Sequence, residues 1–133
     1  MNQIVIDANN AILGRLASYA AKQALLGKKV VIVNCVNAVL TGRRLMIIEE
    51  YKRMVAMGGT AMRGPIYDRV AFKIVKRTVR GMLASQQKRG KDALGRVICY
   101  NDVPKEYESA KKLLAGKEKK VKTVKLSDVI REL

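Results

Sequence analysis

The sequence predicts an α/β fold in which a parallel sheet is covered by helices on both faces. Three observations carry this expectation. Short apolar runs rich in β-branched residues, Ile4-Val5-Ile6, Val30-Val31-Ile32-Val33 and Val97-Ile98-Cys99, are continuous rather than alternating. That is the pattern of strands buried on both faces. Segments of helical periodicity separate them, and strand and helix signals alternate along the chain. With 133 residues, 49% of them hydrophobic, the chain is the size of one domain with a substantial core.

The elements follow in order. After the first strand, residues 11–26 place Leu13, Leu16, Ala17, Ala20 and Ala24 on one face at helical spacing. Arg15, Ser18 and Lys22 fall on the other face, and Gly27 is placed to end the helix. A second helix is expected over residues 43–57, with Ile47, Ile48, Tyr51, Met54 and Val55 inward, stopping at Gly58-Gly59. A third is expected over residues 68–83. Its apolar side holds Ala71, Ile74, Val75, Val79 and Met82, and a narrow stripe opposite holds Arg69, Lys73, Lys76, Arg77 and Arg80. Residues 121–126 alternate apolar with Lys or Thr and read as an edge strand or surface ribbon. The lysine-dense tract of residues 111–125 reads as a flexible or surface arm, and Ser127-Asp128 as the cap of a short final helix.

Charge is the strongest functional signal. Lys and Arg number 27 against 11 acidic residues, a net charge of +16. Residues 1–42 carry a net +3, residues 43–91 a net +10 and residues 92–133 a net +3, so the middle third is the expected contact region. Such a charge repels itself, and a polyanion relieves the repulsion. Nucleic acid fits first, an anionic membrane surface second, and plain solubility is the third reading. No apolar run approaches the roughly 20 residues that span a bilayer. The first residues lack the features of a secretory signal, so a cytoplasmic location is expected.

Enzymatic chemistry finds little support. The chain has no histidine, the commonest general base and transition-metal ligand. Cys35 and Cys99 lack metal-ligand spacing and adjoin apolar runs, so both are expected as reduced core thiols. Neither Asp7-Ala8-Asn9-Asn10, with Gly14 alone, nor Thr41-Gly42-Arg43-Arg44 has the glycine frame of a nucleotide-binding loop. Glu49 and Glu50 are sequence neighbours on a helix and do not face a common site. No cofactor, metal or small-molecule substrate is therefore expected.

The basic residues cohere as an RNA-binding set. Arg43 and Arg44 stand at a helix start, where free backbone N–H groups also favour phosphate. Arg63-Gly64-Pro65 puts an arginine on a rigid loop, and Gln86-Gln87-Lys88-Arg89-Gly90-Lys91 reads as a basic loop after the striped helix. The stripe itself could be a solvated face, but no Asp or Glu interleaves it at i,i+4 to neutralise it. Aromatic residues are only 5% of the chain and Trp is absent. That favours contact with the backbone and shape of folded RNA over base stacking.

At this point the chain resembles the L-thirteen family of large-subunit ribosomal proteins. The resemblance rests on Asp7-Ala8 with Leu13-Gly14-Arg15-Leu16-Ala17-Ser18, on Val31-Ile32-Val33-Asn34 leading to Thr41-Gly42, and on Arg77-Thr78-Val79-Arg80-Gly81-Met82-Leu83. Arg63-Gly64-Pro65 and Lys88-Arg89-Gly90 to Ala93-Leu94 extend it toward the archaeal and eukaryotic branch. It implies a three-layer α/β/α domain with a mostly parallel four-stranded sheet; the chain is expected as a single domain over residues 1–133, its lysine density marking an arm at about 105–125. It also implies a structural protein bound to large-subunit rRNA within the ribosome, beside neighbouring ribosomal proteins, with no membrane and no homo-oligomer. Carried over by position, the basic motif residues are Arg15, Arg43, Arg44, Arg77, Arg80, Lys88 and Arg89; the striped helix and its loops add Arg63, Arg69, Lys73, Lys76 and Lys91. Ala84 departs from the family, which often has proline there. The long C-terminal helix of eukaryotic members and the N-terminal extension of bacterial ones are unmatched, so an archaeal source is expected. The competing expectations are a nucleotide-dependent enzyme on the same fold and a free-standing nucleic-acid regulator.

Overall fold

The computed structural model describes residues 3–56, 69–109, 112–114 and 122–133. Its centre is a parallel sheet in the order β4-β2-β1-β5, built from β1 (Gln3–Asp7), β2 (Lys29–Val33), β4 (Val97–Cys99) and β5 (Lys112–Leu114). β1 and β2 pair with Ile6 opposite Ile32, and β2 pairs with β4 with Ile32 opposite Cys99. Side chains alternate across the pleat, so Ile6, Val30, Ile32, Val97 and Cys99 share one face and Val5, Val31 and Val33 the other. The outer strand β5 is not the tract from which an edge strand was expected. Residues 123–125 do form a strand, β6 (Thr123–Lys125), but it pairs antiparallel with β3 (Val39–Thr41) in a separate two-stranded sheet.

The first face of the sheet is covered by α1 (Leu13–Leu25), α3 (Ala71–Gly81) and α4 (Lys88–Gly95), which join the large core cluster. Helix α1 buries Leu13, Leu16, Ala17, Ala20, Ala21 and Ala24, as its periodicity predicts. It ends in a Schellman motif: Gly27 N–H donates to the Ala24 carbonyl and Lys28 N–H to the Gln23 carbonyl. Gly27 has φ +93°, the left-handed conformation that glycine adopts without cost. On the second face, the described residues covering Val5, Val31 and Val33 are Tyr100, Val103 and Tyr107, the last on a 3-10 turn, Lys105–Tyr107. In place of the expected second helical layer, the described residues show Tyr100, just after β4, and Tyr107 on the turn, their ring centroids 6.0 Å apart. The tract expected as an arm contributes Tyr107, β5 and β6 at its described residues; residues 110–111 and 115–121 lie outside them.

Helix α2 (Arg44–Ala56) buries only Ile48 fully. Ile47, Tyr51, Met54 and Val55, expected inward, are half-buried, because α2 packs at the margin against α5 (Leu126–Arg131) and not over the sheet. The expected end of α2 at Gly58-Gly59 falls outside the described residues, as does Asp68. Ser127 does not cap α5; Lys125 precedes the first turn and no side chain bonds there.

Polar groups fasten strand ends to helix starts. Asp7 Oδ1 accepts hydrogen bonds from Asn9 N–H and from Asn34 Nδ2, both at 3.0 Å, tying the ends of β1 and β2 together. The segment Asp7-Ala8-Asn9-Asn10, which lacks the glycine frame of a nucleotide-binding loop, is a structural turn. Cys35 and Cys99 are buried and share no disulfide. Their mutual hydrogen bond, then burial, raises the Cys35 thiol far above the ordinary thiol range, so it stays protonated. Just beyond β4, Asn101 Oδ1 accepts the Phe72 N–H at 2.9 Å, which satisfies an open donor in the first turn of α3. Replacing Asn101 by Ala should cost about 1 kcal/mol, read as a lower Tm in thermal unfolding followed by circular dichroism. An unchanged Tm would remove this residue from the set that seats α3.

Candidate nucleic-acid interface

Helix α3 is strongly two-sided. Ala71, Ile74, Val75 and Val79 are buried in the core, while Lys73, Arg77 and Arg80 are exposed and Lys76 is half-buried. The expected stripe therefore exists from Lys73 to Arg80. Arg69 is exposed but lies ahead of the helix, where Val70 is still extended at φ −108° and ψ 133°. Met82, placed inward by periodicity, is 45% exposed, and Leu83 is buried instead. The helix stops at Gly81, so the 100° advance no longer governs which residue points to the core.

The segment expected as a basic loop is helical. Lys88, Arg89 and Lys91 sit on the outer side of α4, with Gly90 and Ala93 buried beneath. The turn between α3 and α4 is short: Leu83 N–H donates to the Arg80 carbonyl and Gln87 N–H to the Ala84 carbonyl. The basic groups of the two helices are thereby carried on one continuous piece of structure. Between Arg69 and Lys91 the sequence holds eight cations and no carboxylate, so this surface has no acidic residue of its own segment to offset it.

A second, smaller basic corner forms where β3 meets β6. Gly42 N–H donates to the Lys122 carbonyl at 3.0 Å, and Val39 is the register partner of Lys125. Exposed Lys122 is thus brought beside exposed Arg43, while Lys125 lies at the opposite end of the β3–β6 pair, across from Val39. Sequence reasoning misses this grouping, since the pairing joins segments far apart in the chain. Arg44 is partly neutralised by Glu132, at 3.4 Å in an exposed ion pair. Such a pair is weak and leaves the guanidinium accessible. Arg15 is exposed on the outer side of α1. Arg63 lies outside the described residues.

A crevice of about 220 Å³ separates α2 from α3, lined by Tyr51, Met54, Val55, Lys73, Ile74, Arg77 and Thr78. Burial raises the Tyr51 phenol above its ordinary pKa, so it stays neutral at the crevice wall. Among the described residues no cluster of His, Cys, Asp and Glu could hold a metal, and no helix is long and apolar enough to cross a membrane. What the arrangement can do is present many fixed cations, several of them planar guanidinium forks suited to phosphate oxygens.

Comparison with known proteins agrees with the sequence resemblance. The family described as ribosomal protein L13 matches residues 1–106. The chain is 49% identical to the large ribosomal subunit protein uL13 of Methanococcoides burtonii over 106 residues, 80% of this chain and 76% of that protein. It is 42% identical to the protein of the same name from Archaeoglobus fulgidus over 135 aligned positions, 97% of this chain and 86% of the relative. For the namesake from Thermoplasma volcanium the identity is 42% over 107 residues, 80% and 78% of the two chains.

The basic surface of α4 depends on Gly90. A Cβ there would collide with the backbone carbonyl group of Ala84, which cannot swing aside as a side chain could. Gly90→Ala should therefore destabilise the protein by about 1–3 kcal/mol through overpacking, outweighing the roughly 1 kcal/mol of helix propensity that alanine supplies. Chemical denaturation of both proteins measures the difference; a more stable variant would show that the α3–α4 turn yields freely.

Proposed function

The chain belongs to the ribosomal protein L13 family, and on that premise we propose that it binds large-subunit rRNA through the basic surface of α3 and α4 and stabilises its folded form. Members of this family are structural components of the ribosome and not enzymes. The observation that carries the RNA-binding reading is the division of α3: Val75 and Val79 are fully buried while Lys73, Arg77 and Arg80 are exposed on the opposite side. A helix anchored so firmly on one side holds its cations at fixed spacing, and fixed cations lose less entropy on meeting a phosphate backbone than mobile ones.

In this reading Lys73, Lys76, Arg77 and Arg80 of α3, with Lys88 and Lys91 of α4, make the main phosphate contacts. Arg15 and Arg69 flank them, and Arg43, Arg44 and Arg63 serve a second strand or segment. The whole chain acts as one domain, wedged between rRNA segments as a monomer among other ribosomal proteins. Contacts of this kind position a protein on folded RNA and read its shape rather than its sequence. No cofactor takes part.

The test is rRNA binding as a function of salt. The double variant Arg77→Gln, Arg80→Gln removes two cations from an exposed face and should leave the fold intact. Its affinity for a large-subunit rRNA fragment should fall, and the slope of log affinity against log salt should shrink by roughly 2, about one for each phosphate that is no longer neutralised. Unchanged affinity and slope would sink the assignment of the α3 surface.

A further inference from the structure

Not every exposed part of this surface is suited to phosphate. Where α1, α3 and α4 meet, Leu25 is 50% exposed, Leu26 64% and Met82 45%. Leu25 and Met82 line a shallow depression of about 640 Å³ together with Ala84, Arg89, Asp92 and Arg96. Single exposed leucines are ordinary, but this depression sets exposed Leu25 and Met82 beside charged groups of both signs, the mixture found in protein interfaces.

Resting on the reading that the chain sits in the large subunit, we propose that this depression docks a neighbouring protein of the particle rather than RNA. The partner presents an apolar side chain to Leu25 and Met82, and a carboxylate and a cation to Arg89 and Asp92. The charges decide between partners. Arg89 and Asp92 lie three residues apart on α4, and neither makes an ion pair among the described residues. An RNA surface carries one sign of charge and would leave Asp92, which shares the lining with Arg89 and Arg96, without a cation from its partner. A protein surface carries both signs and can satisfy both groups around an apolar centre, the usual anatomy of a protein interface. A second copy of this chain is disfavoured, because each copy carries +16.

The depression is also prebuilt. The Arg96 guanidinium donates to the Ala24 carbonyl at 2.8 Å, fixing the end of α1 against α4. The Schellman turn at Gly27 then holds Leu25 and Leu26 in place. The site therefore needs little ordering before it can be occupied.

The test uses large subunits assembled with the full chain, carrying the photo-reactive residue p-benzoylphenylalanine in place of Leu25 or, separately, Arg80. After irradiation, adducts are sorted by nuclease and protease digestion and identified by mass spectrometry. The probe at position 25 should give an adduct with another large-subunit protein, at a segment holding apolar and charged residues of both signs. That adduct should be lost when Leu26→Asp and Met82→Asp accompany the probe. The probe at position 80 should label rRNA. An RNA adduct at position 25, an adduct with a second copy of the chain, or no adduct in particles whose position-80 probe labels RNA would each overturn the docking proposal while leaving RNA binding standing. A protein adduct at position 25 without RNA labelling from position 80 would support docking and overturn the α3 assignment instead.

Discussion

The fold depends on how closely α1 lets other helices approach it. Its inner face is mostly alanine: Ala17, Ala20, Ala21 and Ala24 are buried to 4% exposure or less, with Leu13 and Leu16 as the larger members. Small side chains bring helix axes near to one another, and α3 and α4 both pack on this helix as well as on the sheet. The surface available for anchoring α3 is thereby split between α1 and β4, and its four inward residues are all covered. Were this face built from larger residues, α3 would stand further out and its basic side would lose its fixed position. The alanine face of α1 is thus the root of the proposed contact surface, although it touches no ligand itself.

Electrostatics explains why that rigidity is needed. The eight cations between Arg69 and Lys91 repel one another, and a flexible segment would relieve the repulsion by spreading them. Here hydrophobic burial overrides it. Burying a valine or isoleucine contributes about 1.5–3 kcal/mol, whereas two exposed unit charges interact by only about 1 kcal/mol at contact distances in water. A few buried β-branched residues are therefore enough to hold a charged stripe together.

The parts of the fold that are legible in sequence are those whose signal is local and redundant. β1, β2 and β4 announce themselves as continuous β-branched runs, and α1 by the agreement of periodicity, exposed polar residues and a terminal glycine. The parts that are not legible depend on partners distant in the chain. β3 and β5 are three residues each, too short for alternation to register, and each exists because a strand far along the chain pairs with it. α4 reads as a loop in sequence because Gly90 is a poor helix former in an eight-residue helix. Its glycine is there for packing against Ala84, a reason visible only once the turn is seen. Of the candidate contact residues, Lys73, Lys76, Arg77 and Arg80 follow from periodicity alone, while the approach of Lys122 to Arg43 requires the β3–β6 pairing.

α4 ties the two proposed surfaces together. At eight residues it is too short to be stable by propensity, so its order comes from Gly90 and Ala93 seated in the core and from the turn that ties it to α3. Its outer side carries exposed Lys88 and Lys91, while Arg89 and Asp92 border the depression beside Leu25 and Met82. One short helix therefore serves two surfaces of different chemistry, and a shift of its axis would disturb both together. That geometry separates two kinds of damage. Removing a cation from α3 weakens one surface and leaves the other intact, whereas unseating α4 through its glycine must weaken both. On the proposed reading, RNA and a protein partner both bear on this one helix, so its seat in the core is the single feature on which both contacts depend.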